Sequence, residues 1–184
     1  MISTVGHFVL FLALGISLYA AGAAVYGARA GREDWLASSR NAVLAHFCLV
    51  TLAIFLLEYA LITSDFSLRY VAHNSTRGSL TRYKIAGLWG SLEGSILLWA
   101  WLQALFSALV VARNGERQRA VAPYVQAVLQ GISVFFLVVM TFAVNPFAPL
   151  FPVPPDGRGL NPLLEVTDML IHPLLLYLGF VGFS

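Results

Sequence analysis

Apolar residues along this chain run in long blocks set apart by short polar clusters. They show neither the two-residue alternation of a half-buried strand nor the single apolar stripe of a water-facing helix. The first block is Ile2 to Val25; others follow at about Asn41–Ile62, Ile85–Ala112 and Val121–Val144, and a last one from Met169 to Ser184. Four blocks reach the roughly 20 residues that carry a helix across a bilayer. The last holds only sixteen residues, as expected if the chain is the N-terminal part of a longer protein. Hydrocarbon offers backbone groups no water to bond, so each span must satisfy its own peptide groups, as a helix does. The blocks are also too long and too uniformly apolar for barrel strands, which would alternate. The expected fold is all-α: a polytopic transmembrane helical bundle with four complete spans and the start of a fifth. Residues 63–84 and 145–168 are its outer loops.

Composition agrees. Of the 184 residues 59% are hydrophobic and 11% charged, with a mean hydropathy of +0.78, whereas a soluble domain carries about a quarter charged residues. The first block lacks a basic n-region and a clear small-residue cleavage site, so it is expected to stay as a helix. The net charge of +2 is spread out, with no basic run to suggest nucleic acid. Cys48, the one cysteine, excludes an internal disulfide and any CxxC or CxxCH motif. Within its apolar run it is expected to be a small buried hydrophobe.

Basic residues in the connections set orientation. Arg29, Arg32, Arg40, Arg113, Arg117 and Arg119 crowd the short first and third connections, while Arg69, Arg77, Arg82, Lys84 and Arg158 are spread over the longer second and fourth. The density favours the first and third as cytoplasmic. The N-terminus, Thr63–Lys84 and Asn145–Glu165 then lie outside.

Candidate chemistry is sparse. Glu58 and Glu93 fall inside apolar blocks, where an ionised carboxylate is expensive, each one to two turns from the expected outer end. Either they shape a polar site at the outer surface, or they reach water at a helix end or pair with Arg82 or Lys84. Around Glu93, Gly87, Gly90, Ser91 and Gly94 would share one stripe of a continuous helix, with Gly90 and Gly94 spaced for close helix approach. Trp89 and Glu93, four apart, would share another face. His7 and His46 are expected to be hydrogen-bonded structural histidines, and His73 a solvated loop residue. His172 precedes Pro173, and proline suits the first turn of a helix. That places His172 at the outer mouth of the fifth span, where an imidazole with an open nitrogen is able to ligate a metal or haem iron. Walker-type, serine-elbow, HExxH and paired Cys/His zinc motifs are missing from the sequence.

Three separated motifs occur together and in order: GLWGSLEGSILLWAW at Gly87–Trp101, the proline-rich Asn145–Pro162, and IHPLLLYLGFVGFS at Ile171–Ser184. With the Ser/Arg-containing stretch Asp65–Lys84 ending in Tyr-Lys, they resemble the N-terminal part of the CcmF family, the large membrane subunits of bacterial cytochrome c maturation among the haem-handling proteins. The resemblance implies a haem lyase acting within a membrane complex of the bacterial inner membrane, with its haem site on the periplasmic side. It implies haem as cofactor, received from a membrane-tethered haem chaperone and positioned for thioether attachment to the CxxCH of apocytochrome c. The partners implied are that chaperone, apocytochrome c with its thiol-handling subunit, and the lipid bilayer. His172 matches the first of two outer histidines that provide the haem iron's axial ligands in the family. Glu93, Trp89, Arg82 and Arg158 are the residues placed to shape the site or meet haem propionates. The family's tryptophan-rich outer segment, second outer histidine and intramembrane histidines are missing from this chain, so the chain alone is expected to be inactive. Leu92 stands where some members have histidine.

Two other readings compete with haem handling. A multi-pass transporter would place Glu58 and Glu93 in a polar pathway, yet internal repeats and mid-span Gly/Pro breaks, which would favour it, are not found. A non-catalytic membrane assembly scaffold would use the small-residue stripe for packing alone.

Overall fold

The computed structural model describes residues 1–113, 120–161, 165 and 167–183, with only the backbone for 167–169. The chain is a multi-pass membrane protein built from helices α1 (Ile2–Ala30), α2 (Glu33–Thr63), α3 (Arg69–Asn74), α4 (Thr81–Ala86), α5 (Leu92–Ala112), α6 (Ala122–Phe142) and α7 (Thr167–Gly182), with a 3-10 turn at Gly87–Trp89. Of these, α1, α2, α5 and α6 are long and apolar enough to cross a membrane.

The helices outrun their apolar blocks at the first connection, because charged side chains at a helix end reach water without breaking the backbone ladder. The polar stretch expected between the first two spans is mostly helical, and the turn shrinks to Gly31 and Arg32. Gly31 adopts φ 62°, left-handed backbone that favours glycine, and its N–H closes onto the carbonyl of Gly27. Glu33 and Asp34 then occupy the first turn of α2, where the positive end of the helix dipole favours them.

The four long helices form a ring in which α1 touches α2 and α6, and α5 touches the same two. Neighbours run antiparallel, so α2 and α6 are parallel across the ring. Leu10, Leu57, Leu61, Leu97, Leu137 and Met140 fill one core. Further along the ring, polar side chains join the helices. Ser17 of α1 donates to Gln130 Oε1 of α6 at 2.9 Å. Ser39 of α2 donates to the Ala20 carbonyl of α1 at 2.7 Å, and Gln126 of α6 donates to Ser39 Oγ at 2.5 Å. On α5, Trp101 donates to Thr51 Oγ1 of α2 at 3.0 Å. Such bonds hold helices together where lipid is as apolar as the core.

The polar stretches form a cap over one end of the ring. Residues 67–69 and 148–150 pair through Arg69 N–H to the Ala148 carbonyl at 2.9 Å and Leu150 N–H to the Ser67 carbonyl at 2.8 Å. Phe147, fully buried, packs on Gly6 of α1, and the Ser3 hydroxyl donates to its carbonyl at 2.7 Å. The N-terminus of α1 and both long connections therefore share one end of the bundle. Arg117 and Arg119, used in the charge comparison above, lie outside the described residues.

Three expectations need correction. The span expected at 85–112 is interrupted: its first residues form the end of α4 and the 3-10 turn, and α5 starts at Leu92. Cys48 is exposed rather than buried, on an outward face of α2 that the bilayer covers. His46 is buried, yet neither ring nitrogen has a hydrogen-bond partner among the described residues. His7 does have one, with Asn145 Nδ2 at 2.5 Å from its Nδ1.

Candidate functional site

The break at Gly87–Ser91 organises the cap. Ser91 is extended, with φ −151° and ψ −179°, and stands as the N-cap of α5, its carbonyl accepting the N–H of Ser95 at 3.1 Å. Serine is favoured there because its hydroxyl offers flanking groups an alternative to helix bonds. Glu93 therefore lies in the first turn of α5, at the positive end of the helix dipole. It is half-buried and accepts a long bond of 3.4 Å from Ser91 Oγ.

Tyr70 of α3 locks this break. Its buried phenol donates to the carbonyls of Gly87 at 2.7 Å and Leu88 at 2.9 Å where the helix unwinds; the Gly87 carbonyl also accepts the Gly90 N–H at 3.1 Å. Burial raises the phenol's pKa above its ordinary value. Asn74, one turn on, donates through Nδ2 to the Tyr70 carbonyl and to Ser91 Oγ, both at 2.9 Å. Gly94 sits against the Tyr70 phenol and the Leu88 carbonyl, with no room for a Cβ, and Gly90 against the Leu160 side chain. Gly94 and Gly90 thus admit a cap helix and a cap loop, while Gly87 lies against Leu61 of α2, because the break takes the three off any common stripe.

The acidic residues do not pair as the sequence allowed. Lys84 donates to Ser64 Oγ at 2.7 Å. Arg82 lies over the Tyr83 ring, 4.9 Å from its centroid, and reaches the Tyr83 phenol at 3.5 Å. Glu58 Oε2 is buried without a partner among the described residues.

His172 is exposed in the second turn of α7, and Pro173 lies inside the helix, not in its first turn. Proline there lacks the N–H that would bond the carbonyl four residues back. Leu174, Tyr177 and Val181 form the face packed inward; the Tyr177 ring lies 6.1 Å from that of Trp99 on α5. At about 100° per residue, His172 points away from that face and shares its own with exposed Leu175 and Leu176.

The structure brings only some of the candidates together. Trp89 is half-buried in the 3-10 turn, one step from Glu93's helix, and its carbonyl accepts the Ser95 hydroxyl at 3.3 Å. Arg82 is linked to α7 through its neighbour: the Tyr83 phenol donates to the Glu165 carbonyl at 2.9 Å, two residues before the helix begins. Arg158 is exposed and docks by its backbone, N–H to the Ala72 carbonyl at 2.8 Å. The adjacent loop is held by Asp156, whose carboxylate accepts N–H groups of Arg77 at 2.9 Å and Gly157 at 2.8 Å and is thereby kept below its usual pKa. No hydrogen bond, ion pair or ring contact joins His172 to Glu93, Trp89, Arg82 or Arg158 among the described residues. No group of three or more His, Cys, Asp or Glu able to hold a metal occurs among them either. Tyr70, Asn74 and Tyr83 were missed in the sequence. The serine-to-acid step at Ser91–Glu93 was the readable sign of a helix start.

Comparison with known proteins places the chain. Residues 89–184 match the family described as cytochrome C assembly protein. Over its whole length the chain is 43% identical to the cytochrome c-type biogenesis protein ccl1 of Rhodobacter capsulatus and 37% identical to CcmF of Escherichia coli. It spans 28% and 29% of those two relatives, respectively. Among solved structures it is similar to cytochrome c haem lyase CcmF, with a TM-score of 0.81 and 35% identity over 99% of this chain and 28% of that one.

Proposed function

Because this chain belongs to the cytochrome C assembly protein family, we propose that it forms the part of a haem lyase that presents haem iron to His172 at the outer membrane surface. Haem comes from a membrane-tethered haem chaperone and is positioned for the CxxCH of apocytochrome c. The apocytochrome thiols add across the haem vinyl groups, sulfur to one carbon and hydrogen to the other, so two thioethers form without net oxidation.

The observation that carries this reading is the exposed face of α7. The His172 ring takes part in no hydrogen bond among the described residues and stands beside exposed Leu175 and Leu176. An open imidazole next to apolar side chains suits a porphyrin, which needs a ligand for its iron and an apolar surface for its ring. When bound, haem supplies the iron that imidazole holds and the vinyl groups that react; the chain's part is to bind and orient. Exposed guanidiniums on the cap, Arg82 and Arg158, are the groups proposed to meet the propionates, since arginine pairs well with carboxylates. Trp89 and Glu93 shape the neighbouring surface. The cap faces the periplasm, and the partners are the haem chaperone and apocytochrome c with its thiol-handling subunit.

The test is a reduced-minus-oxidised absorbance spectrum of the full-length protein purified from membranes, wild type beside His172→Ala. Haem bands that weaken or shift in the variant, with cytochrome c maturation falling by tenfold or more, support the assignment. An unchanged spectrum with normal maturation removes His172 from the iron. Wild-type protein without haem, under ample haem supply, turns the reading towards a transporter or scaffold.

A further inference from the structure

Inside the ring of helices, away from the cap, lies a polar layer for which the proposed haem chemistry has no use. His46 is 1% exposed and Gln130 0% exposed; both ring nitrogens of His46 and Nε2 of Gln130 have no hydrogen-bond partner among the described residues. Gln130 Oε1 is already bonded to Ser17, which fixes the side of α6 from which the amide projects. Register relates the two residues. Gln126 of α6 reaches Ser39 of α2 across the ring, and the two helices run in the same direction. From that contact, Gln130 lies four residues on and His46 seven on, both on the inward faces of their helices. At about 1.5 Å per residue the axial offset between them is roughly 4.5 Å, so the two side chains occupy neighbouring levels of the bundle.

We propose that His46 and Gln130 hold ordered water in the middle of the bundle. One water accepts the Gln130 amide N–H and donates to the bare nitrogen of His46. The N–H on the other ring nitrogen donates to a second water. The chemistry of the unmet groups selects this ligand. A neutral imidazole needs one donor and one acceptor, an amide N–H needs an acceptor, and water carries both functions. Folded proteins hold about one buried water per 27 residues, typically bonded to buried groups that otherwise lack partners, so two waters in this bundle are ordinary in number. The waters complete a belt of polar contacts with Ser17, Ser39 and Gln126, which fixes the helix register where apolar packing alone discriminates little.

The experiment is magic-angle-spinning NMR of the full-length protein in phospholipid bilayers with ¹⁵N-labelled histidine, reading magnetisation transferred from water to ring nitrogens. His46→Gln assigns the signal by its loss, and Gln130→Met removes the amide at nearly constant volume. If His46→Gln does not fold, a cryo-EM map sharp enough to show ordered water gives the same answer by density between the two side chains. The expected result is a water-to-His46 cross-peak that drops by half or more in Gln130→Met. A His46 ring without water transfer overturns the proposal, as does a cross-peak that Gln130→Met leaves unchanged.

Discussion

Tyr70 is the residue on which the cap turns. One phenol serves two carbonyls at the unwinding of Gly87–Ser91, of which that of Gly87 also accepts the Gly90 N–H, and an unmet buried acceptor costs about 1–3 kcal/mol. Tyr70→Phe is expected to lower stability by about that amount, seen as a lower Tm of the purified protein, with its secondary structure kept. The pH dependence has a definite sign. Burial raises the folded-state pKa of the phenol, so its contribution is complete below the unfolded value of about 10 and is lost as pH rises above it. The alkaline fall in Tm should therefore be shallower in Tyr70→Phe; equal slopes would assign that fall to another group. His46 and Cys48 show why individual residues were hard to place from sequence. When lipid is as apolar as the protein core, a helix that is hydrophobic all round does not reveal which face is buried. The sequence thus could not say that Cys48 faces outward while His46 faces inward.

At the scale of elements, the long apolar blocks were legible because a bilayer demands length and uniformity, and all four long helices stand where those blocks lie. The break before α5 passed for span because Gly87-Leu88-Trp89-Gly90 is apolar, and only the Ser91–Glu93 step hinted at a helix start. Its decisive partner, Tyr70, is distant in sequence and carries no local signal. The small residues near the break were legible as sites of close approach, but not what approaches them. Two substitutions separate these effects. Gly94→Ala pushes a methyl into the Tyr70 phenol and the Leu88 carbonyl and is expected to cost about 1–3 kcal/mol, the usual range for overpacking. Gly131 sits in α6 with nothing near its Cβ position. Gly131→Ala should be neutral or gain up to about 1 kcal/mol through helix propensity. Comparable losses of Tm in both variants would mean that glycine flexibility, rather than the Tyr70 contact, governs this region.

At the scale of the whole molecule, the arrangement reduces several separate questions to one. The start of α1, the 63–91 segment and the 145–161 segment are bonded to one another at one end of the ring, so they must lie on the same side of the membrane. The turn at Gly31–Arg32 and the end of α5 at Arg113 belong to the opposite side. The charge density of the short connections favours a cap on the outer side, and the proposed haem reading requires that side for the cap to meet the CxxCH thiols of an apocytochrome. Single cysteines make this testable. Cys48 is exposed only along a membrane helix and is replaced by serine, then Ser79→Cys or Arg113→Cys is added, both near exposed turns. In intact spheroplasts a membrane-impermeant maleimide is expected to label the Ser79→Cys protein and to leave Arg113→Cys unlabelled until the membrane is opened. The reverse pattern would invert the whole bundle at once, since no single loop can change sides without breaking the contacts of the cap. His172 would then meet the cytoplasm, away from any apocytochrome, and the haem-lyase reading would fall with the topology.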